Sequence, residues 1–492
     1  MMQAKNEEQN KRKGVSTADF FCIGFGAIVG VGWAVSINSW MINCGGPVPA
    51  AAGYLLCLVM LIPLGLCYCE LVPMIPVAGG GMAFAYKAFD HDLAFASGWA
   101  SYGAFVAIIP WEAIQITDVL GYLIPGLKSG KPLYSVMGSD IYPATILIGL
   151  ACSLLIYFLN MRGLSSAAKA QRILCFVLVG TAVLGAVFAV IGGRAENLTP
   201  LYDVSDPAIY GEGLKQVSHR SFFGGAFAIV AQAAFFLAGF ETIPQGVEEA
   251  GGSIKSVGKT VVLSVTLACL FYAGLLLCFG SALPWKEFAG MERPAAASMF
   301  RALYPGTLGQ ALFWLITIGA IAGLFTTWNG FFTPSANLLM SMGRGRLVPQ
   351  FFARQNERGV AVNGQLIALL LSCAGPFLGA NLIDTITCFS AAAFVLSWCI
   401  TAFSLVRLRK KHPEMPCPFR IPGGIATGIF ASVVSLAVFI FMFVPASPFF
   451  IGKLAVIMFL VWMAVGFALY LLNRGERRKM TAEEIEKSVF RN

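Results

Sequence analysis

The sequence predicts an all-α integral membrane protein with twelve transmembrane helices. Hydrophobic residues make up 57% of the 492 positions and charged residues only 12%, a composition that excludes a soluble globular domain. Apolar stretches of about 20 residues, the length that crosses a bilayer, recur along almost the whole chain. Two of these stretches contain helix-disfavouring glycine or proline residues, and they are the best indicators of function.

Hydropathy places the spans at 20–42, 48–73, 93–123, 142–159, 168–192, 222–247, 260–282, 307–341, 360–379, 382–406, 424–444 and 451–473. Sequence patterns locate helix ends only to within a few residues. The connections are too short for a separate soluble domain. We therefore expect one transmembrane domain over 20–473, with polar tails at 1–19 and 474–492.

The basic residues predict the orientation. Most of them lie in the even-numbered connections and the C-terminal tail, for example Arg344, Arg346, Arg409 and Arg477. Short loops rich in lysine and arginine stay on the cytoplasmic side. We expect both termini in the cytoplasm of a multi-pass cell-membrane protein, with the lipid bilayer as its surroundings. This distribution also accounts for the net charge of +9 without nucleic acid as a partner.

Residue types that usually carry catalysis or bind metals are not clustered. The thirteen cysteines lie almost entirely within apolar spans, and the three histidines, His91, His219 and His412, are far apart. Neither has metal-ligand spacing. The chain also lacks a serine–histidine–acid pattern and a phosphate-binding loop, so we predict no enzyme activity, no cofactor and no bound metal beyond a coupling ion, H⁺ or Na⁺.

The first span is rich in glycine. Gly24, Gly26, Gly30 and Gly32 fall within nine positions, and each glycine disfavours a helix by about 1 kcal/mol relative to alanine. Small residues at this spacing let two helices pack closely. Alternatively, the helix is interrupted so that its bare N–H and C=O groups face a ligand.

The sixth span contains a second candidate break. Gly239 and Pro244 flank Glu241, a carboxylic acid at a depth where charge is costly. If 20–192 and 222–406 are inverted halves, spans one and six occupy corresponding positions. Interrupted helices in corresponding positions are typical of a transporter's binding site.

Four motifs in order resemble the amino acid–polyamine–organocation (APC) superfamily of permeases. They are Gly26 to Gly32, Pro76 to Tyr86 with Ser97-Gly98-Trp99, Gly239-Phe240-Glu241 with Glu248-Glu249, and Leu408 to Glu414 with Pro418 to Gly423. The resemblance covers nearly the whole chain. It implies a LeuT-like five-plus-five inverted repeat with broken helices one and six, two extra helices over 424–473, and alternating access.

The resemblance also implies positions for the substrate. The carboxylate would bind the N–H groups of Val31 and Gly32, beside Gly30. The ammonium would meet the carbonyls of Ile28, Phe235 and Ala238, beside Gly239, and the Phe235 ring would cover the substrate. These are the expected substrate-binding residues, together with Glu112.

Two acids at membrane depth have two interpretations each. Glu112 either faces the cavity, where it meets a cationic group or carries a proton, or is a protonated acid hydrogen-bonded between helices. Glu241 either serves proton coupling or gating, or holds the broken backbone. Glu70, near the end of the second span, is expected to be a structural or interfacial acid.

The resemblance further implies a possible sodium site. Some members carry a lysine in the fifth span in place of sodium, and here that position is Leu178. The carbonyls of Gly26, Val29 and Gly323 and the hydroxyls of Thr326 and Thr327 would form the site, since hard cations prefer oxygen. Alternatively, the threonines bond back to their own helix, or transport is exchange without an ion.

These features predict a secondary active transporter for an amino acid or a closely related amine. One alternative is an amine or polyamine carrier anchored by Glu112; another is a membrane nutrient sensor. Trp33, Trp111, Trp328 and Phe235 are candidates for an aromatic pocket.

Overall fold

The computed structural model describes residues 14–199, 201, 222–291 and 294–490. The α-helices, numbered in chain order, are α1 Thr17–Ile28, α2 Gly32–Val35, α3 Ile37–Cys44, α4 Pro47–Met74, α5 Gly81–Ala88, α6 His91–Leu123, α7 Pro143–Met161, α8 Leu164–Gly192, α9 Phe222–Ala228, α10 Val230–Phe236, α11 Ile254–Gly280, α12 Trp285–Ala289, α13 Ala295–Leu303, α14 Thr307–Arg344, α15 Val362–Ala374, α16 Ile383–Lys411, α17 Ile425–Phe441, α18 Lys453–Leu472, α19 Arg474–Arg478 and α20 Ala482–Ile485. Shorter 3₁₀ helices cover Pro125–Lys128, Ala195–Leu198, Phe240–Glu249, Gln350–Ala353, Gly375–Phe377 and Ala380–Leu382, and a π-helix covers Glu486–Phe490.

The predicted all-α membrane architecture is confirmed. Among the described residues, nine helices are long and apolar enough to cross a membrane. Two further segments, Phe222–Ala228 and Gln232–Glu249, meet at a bend of 47° and make a tenth span if they are counted as one. Two shorter apolar helices, Val362–Phe377 and Ile425–Phe441, coincide with predicted spans nine and eleven.

The helices differ in how deeply they are enclosed. In the most apolar 18-residue stretch of α6, 89% of the residues are buried, and the same share is buried in that of Ala380–Lys411. In the corresponding stretch of α18, only 22% of the residues are buried. The helices α6 and α16 pack along each other at the centre, and α4 packs along α11. The centre is therefore protein-lined, and α18 lies at the periphery.

The first helix begins three residues before the predicted span. Ser16 accepts a hydrogen bond from the Asp19 backbone N–H at 3.2 Å, and Asp19 in turn accepts one from the Ser16 N–H at 3.3 Å. This reciprocal arrangement is a capping box, which satisfies N–H groups that a helix start leaves free. The cap therefore fixes where the broken first span begins.

A small hairpin was not predicted. The strands β1, Tyr134–Val136, and β2, Ser139–Ile141, pair antiparallel in the connection between α6 and α7. Met137 and Gly138 form the turn, and both have positive φ values, 49° and 81°. Two residues with positive φ suit the twist of a tight hairpin, although Met137 is an unusual residue for this position.

The two described ends of the chain meet on one face. The N–H of Val15 donates to the carbonyl of Glu249 at 3.0 Å. The neighbouring Glu248 pairs with Arg344, whose carbonyl accepts a hydrogen bond from Ser488 at 3.3 Å. We call this the terminal face of the bundle.

Candidate functional site

The first break separates α1 from α2. Val29 has φ −91° and ψ 84°, which ends the helix, and the N–H of Gly30 donates to the carbonyl of Ile28 at 3.2 Å and also contacts the Tyr272 hydroxyl. Within the described chain, the N–H groups of Val31 and Gly32 have no hydrogen-bond acceptor. Unpaired N–H groups at a helix start carry partial positive charge. They can therefore bind an anionic group without a charged side chain.

The second break follows α10. Gly239 has a φ of +138°, a conformation that residues with a Cβ rarely adopt, and a 3₁₀ helix begins at Phe240. The Gly239 N–H donates to the side chain of Glu241 at 2.7 Å. Within the described residues, the carbonyl of Ala238 accepts no hydrogen bond, so it is free to accept one from a ligand.

The two breaks touch each other and α14. A Cβ on Gly239 would lie 2.6 Å from the Ile28 nitrogen, and a Cβ on Gly323 would lie 2.6 Å from the Gly30 oxygen. These distances leave no room for any side chain. The glycines of the first span therefore do both things that the sequence suggested, because the helix is interrupted there and also packs closely against its neighbours.

The other two carbonyls expected to meet an ammonium group already have donors. The carbonyl of Ile28 accepts a hydrogen bond from the Tyr272 hydroxyl at 3.0 Å as well as from Gly30. The carbonyl of Phe235 accepts one from the Ala238 N–H at 3.3 Å. A carbonyl oxygen has two lone pairs, so Ala238 is the most available acceptor of the three.

Aromatic rings cover the breaks. Phe235 is buried, and its ring centroid lies 5.3 Å from that of Trp111 and 5.2 Å from that of Phe236. Phe236 rather than Phe235 lies over the first break, because its ring would be 2.8 Å from a Cβ on Gly32. The ring of Trp40 lies 4.9 Å from Phe236.

Two of the four rings considered for an aromatic pocket lie elsewhere. Trp33 packs against Phe279, with centroids 6.1 Å apart. Trp328 stacks on Phe325, and its indole N–H donates to Ser372 at 3.1 Å. Only Trp111 and Phe235 come together.

A cavity of about 190 Å³ lies above this aromatic cover. Its lining includes Trp40, Trp111, Gln115, Gln232 and Asp384, all on the side of the breaks that faces away from the terminal face. The lining combines indole rings with amide and carboxylate groups, so the cavity can admit polar solutes as far as the Phe236 ring.

Glu112 is enclosed beside the cover. It is 1% exposed, and its Oε2 has no hydrogen-bond partner in the described structure. Gln115, one helical turn later, also has an unpartnered buried oxygen. Burying polar atoms without partners is costly. These two oxygens can accept hydrogen bonds from a donor that reaches this face of the helix.

Glu241 is fully engaged. It accepts a hydrogen bond from the Gly239 N–H and another from the indole N–H of Trp398 on α16. Glu70 is engaged too, with Arg409 and with the N–H of Ile421. Both acids hold backbone or neighbouring helices in place, which is the role expected of Glu70 and the structural alternative for Glu241.

The residues of the possible sodium site are neighbours. The Thr326 hydroxyl lies 2.7 Å from the Gly323 carbonyl and 3.5 Å from that of Val29, and the Thr327 hydroxyl lies 3.2 Å from the Gly323 carbonyl. A Cβ on Gly26 would lie 3.3 Å from the Thr326 Cβ. Both threonines also bond back to their own helix, so the structure contains the alternative arrangement as well.

A buried amide network behind the first break was not predicted. Gln171 donates to the carbonyl of Thr326 at 3.0 Å and accepts from Asn329 at 2.8 Å. Asn329 accepts from Asn160 at 3.0 Å. These amides connect α7, α8 and α14, and fully paired networks of this kind rigidify a core. Polar residues within apolar spans were the available sequence signal.

An all-α membrane protein whose two interrupted helices expose bare backbone groups to one another belongs to the class of membrane transport proteins. A family model described as "Amino acid permease" matches residues 15–467. The chain therefore belongs to the amino acid permease family, and it is a transporter and not an enzyme.

Several relatives match over most of their length. The branched-chain amino acid permease BcaP of Bacillus subtilis is 20% identical, over 98% of this chain and 97% of the relative. The methylthioribose transporter of the same organism is 21% identical, over 96% and 95%. The aromatic amino acid transport protein AroP of Escherichia coli (strain K12) is 20% identical, over 86% and 87%.

Proposed function

We propose that this permease carries an amino acid across the cell membrane by alternating access and binds it between the two breaks. The contact between the breaks carries the proposal. An amino acid presents one carboxylate and one ammonium group. The first break offers free N–H groups at Val31 and Gly32, and the second offers a free carbonyl at Ala238. Helix ends with opposite partial charge complement both groups.

Helix packing supports a five-plus-five repeat over about 20–192 and 222–406. If spans one to five correspond to six to ten, the contact between α6 and α16 should have a counterpart between α14 and α8, and it does. The contact between α1 and α8 has its counterpart between α10 and α16. We propose that all twelve predicted segments cross the membrane and that both termini are cytoplasmic.

The two faces differ in a way that supports alternating access. On the side away from the termini, the cavity measures about 190 Å³, whereas the one lined by Phe20 and Gly246 on the terminal side measures about 10 Å³. The Arg344–Glu248 ion pair, at 3.1 Å, lies at the terminal face. We infer an outward vestibule and a closed cytoplasmic path.

For the substrate, we propose an amino acid with an apolar side chain. The rings of Phe235, Phe236 and Trp111 surround the breaks with apolar surface, and two of the relatives are named for branched-chain and aromatic amino acids. The unpartnered oxygen of Glu112 favours a second candidate, an amine carried without need of a carboxylate. The relative named for methylthioribose shows that substrates differ among similar chains.

Two coupling mechanisms follow from the geometry. Sodium coupling is supported by the oxygens of Thr326 and Thr327, which lie within 3.5 Å of the carbonyls of Val29 and Gly323 or of Gly323 alone, since hard cations prefer oxygen ligands. Glu112 is the candidate proton carrier, because Glu241 is occupied in holding the second break. Uptake of leucine into proteoliposomes, with sodium and proton gradients imposed separately, distinguishes them. Sodium dependence alone excludes Glu112 as the coupling group, and counterflow with no gradient indicates exchange. Binding without any uptake or counterflow would instead support a nutrient sensor.

A further inference from the structure

We propose that a groove between α6 and α18 binds one anionic phospholipid from the leaflet at the terminal face. The groove has a volume of about 850 Å³, within the range of about 300–1,000 Å³ typical of ligand sites. Arg474, Arg477 and Arg478 line one end, and Phe95, Met463 and Phe467 line the other. The proposal goes beyond the transport function, and only the identity of the leaflet depends on the orientation proposed above.

The groove has rigid walls. The indole N–H of Trp99 on α6 donates to the carbonyl of Trp462 on α18 at 2.9 Å, and that of Trp462 donates to the carbonyl of Trp99 at 3.1 Å. Their rings stack 4.6 Å apart. Gly466 lies against Trp99, where a Cβ would overlap the indole. This reciprocal pair holds the two helices in fixed register below the groove.

The basic end is arranged to receive an anion. Arg477 is 8% exposed; its guanidinium lies 3.6 Å from the Tyr470 ring centroid and donates to the Tyr470 carbonyl at 3.1 Å. Arg474 and Arg478 are exposed on either side. The acid in the groove, Asp92, accepts a hydrogen bond from the Tyr470 hydroxyl and lies 3.7 Å from His91. A second carboxylate, Asp90, lies close enough to act on Tyr86 and Tyr470, so three arginines face two carboxylates and the groove stays positive.

The other end faces hydrocarbon. Phe467 is 56% exposed and Leu471 is 47% exposed. Both lie on α18, in whose most apolar 18-residue stretch only 22% of the residues are buried. Apolar side chains at such exposure are covered by acyl chains in a bilayer. Arginines directly above an apolar groove at the membrane surface match a phosphate headgroup with its acyl chain below, and basic pockets between helices on the cytoplasmic side are typical anionic lipid sites.

The test uses the full-length protein and native mass spectrometry. Phosphatidylglycerol and phosphatidylcholine are titrated onto the delipidated wild type and onto the double variant Arg474→Gln/Arg478→Gln. We expect one tightly held phosphatidylglycerol on the wild type and binding weaker by about 30-fold in the double variant, because each basic residue near a lipid headgroup contributes about a factor of five. Arg354→Gln/Arg358→Gln removes two exposed arginines outside the groove and should bind like the wild type.

Three outcomes would overturn the proposal: equal binding of the two lipids, unchanged binding in the Arg474/Arg478 double variant, or equal loss in the control variant. A fourth outcome would show whether the groove recognises a phospholipid or only a free phosphate group. If inorganic phosphate or glycerol phosphate displaces the lipid at equal concentration, the groove binds the anion alone and not a phospholipid. Retained leucine uptake in the double variant shows that the protein is folded, and it separates this proposal from the transport function.

Discussion

Replacing Gly30 by alanine should weaken amino acid binding, because the added methyl group meets Thr327. A Cβ at this position would overlap the Thr327 Oγ1 and lie 3.2 Å from the Thr327 Cβ. Thr327 cannot rotate away freely, since its hydroxyl bonds to the Gly323 carbonyl at 3.2 Å. Overpacking a buried site costs about 1–3 kcal/mol. At about 1.4 kcal/mol per factor of ten, affinity falls by roughly 5- to 140-fold if the strain acts on the bound state.

The assay is the leucine dissociation constant of purified protein, measured by calorimetry in lipid nanodiscs. Gly274→Ala is the matched control, because a Cβ on Gly274 of α11 meets nothing within 4 Å. It should leave affinity unchanged. Both variants should reach the membrane in wild-type amounts, since neither adds charge to a span. Wild-type affinity in Gly30→Ala would refute the placement of the substrate at the first break.

Three further substitutions test other parts of the account. In Glu241→Gln, one of the two N–H groups that donate to Glu241 loses its acceptor, which costs about 1–3 kcal/mol. The melting temperature should therefore fall while the pH profile of uptake stays the same, and a flattened profile would assign Glu241 to proton coupling. Glu112→Gln should reduce uptake at least tenfold at unchanged membrane abundance. Asp118→Asn should not reduce uptake, because Asp118 lies on the same helix but is paired with Lys128 at 3.1 Å; unchanged uptake and pH dependence in Glu112→Gln would assign Glu112 a structural role. Arg344→Gln breaks the ion pair on the terminal face and should raise labelling of a cysteine placed at Gly246 from that side; unchanged labelling would show that this pair does not close the path.

The breaks themselves could be predicted from sequence because their causes are local. Glycine and proline interrupt a helix through their own backbone properties, so Gly30, Gly239 and Pro244 marked the positions without knowledge of the fold. The spans were equally predictable, since each needs only a run of apolar residues. The hairpin was missed because its turn has Met137 where asparagine or aspartate is usual.

The side chains around the breaks could not be placed this way. Phe235 and Phe236 are adjacent in sequence, and only the packing of α10 against the first break decides that Phe236 lies over Gly32. Tyr272 reaches the Ile28 carbonyl from a position 244 residues away. Trp398 reaches Glu241 in the same manner, from 157 residues away. Such contacts depend on how helices pack, which periodicity and motifs do not encode.

The central claim, that the two breaks hold the carboxylate and the ammonium group of an amino acid, is tested most directly by ligand analogues. Leucine, its decarboxylated form isoamylamine and its deaminated form 4-methylpentanoate are compared as ligands in a thermal-shift measurement on the wild-type protein. A ligand at 100 times its dissociation constant stabilises a protein by about 2.7 kcal/mol. The account predicts a shift with leucine and none with either analogue at the same concentration. An equal shift with isoamylamine would contradict it and would support the amine carrier anchored by Glu112.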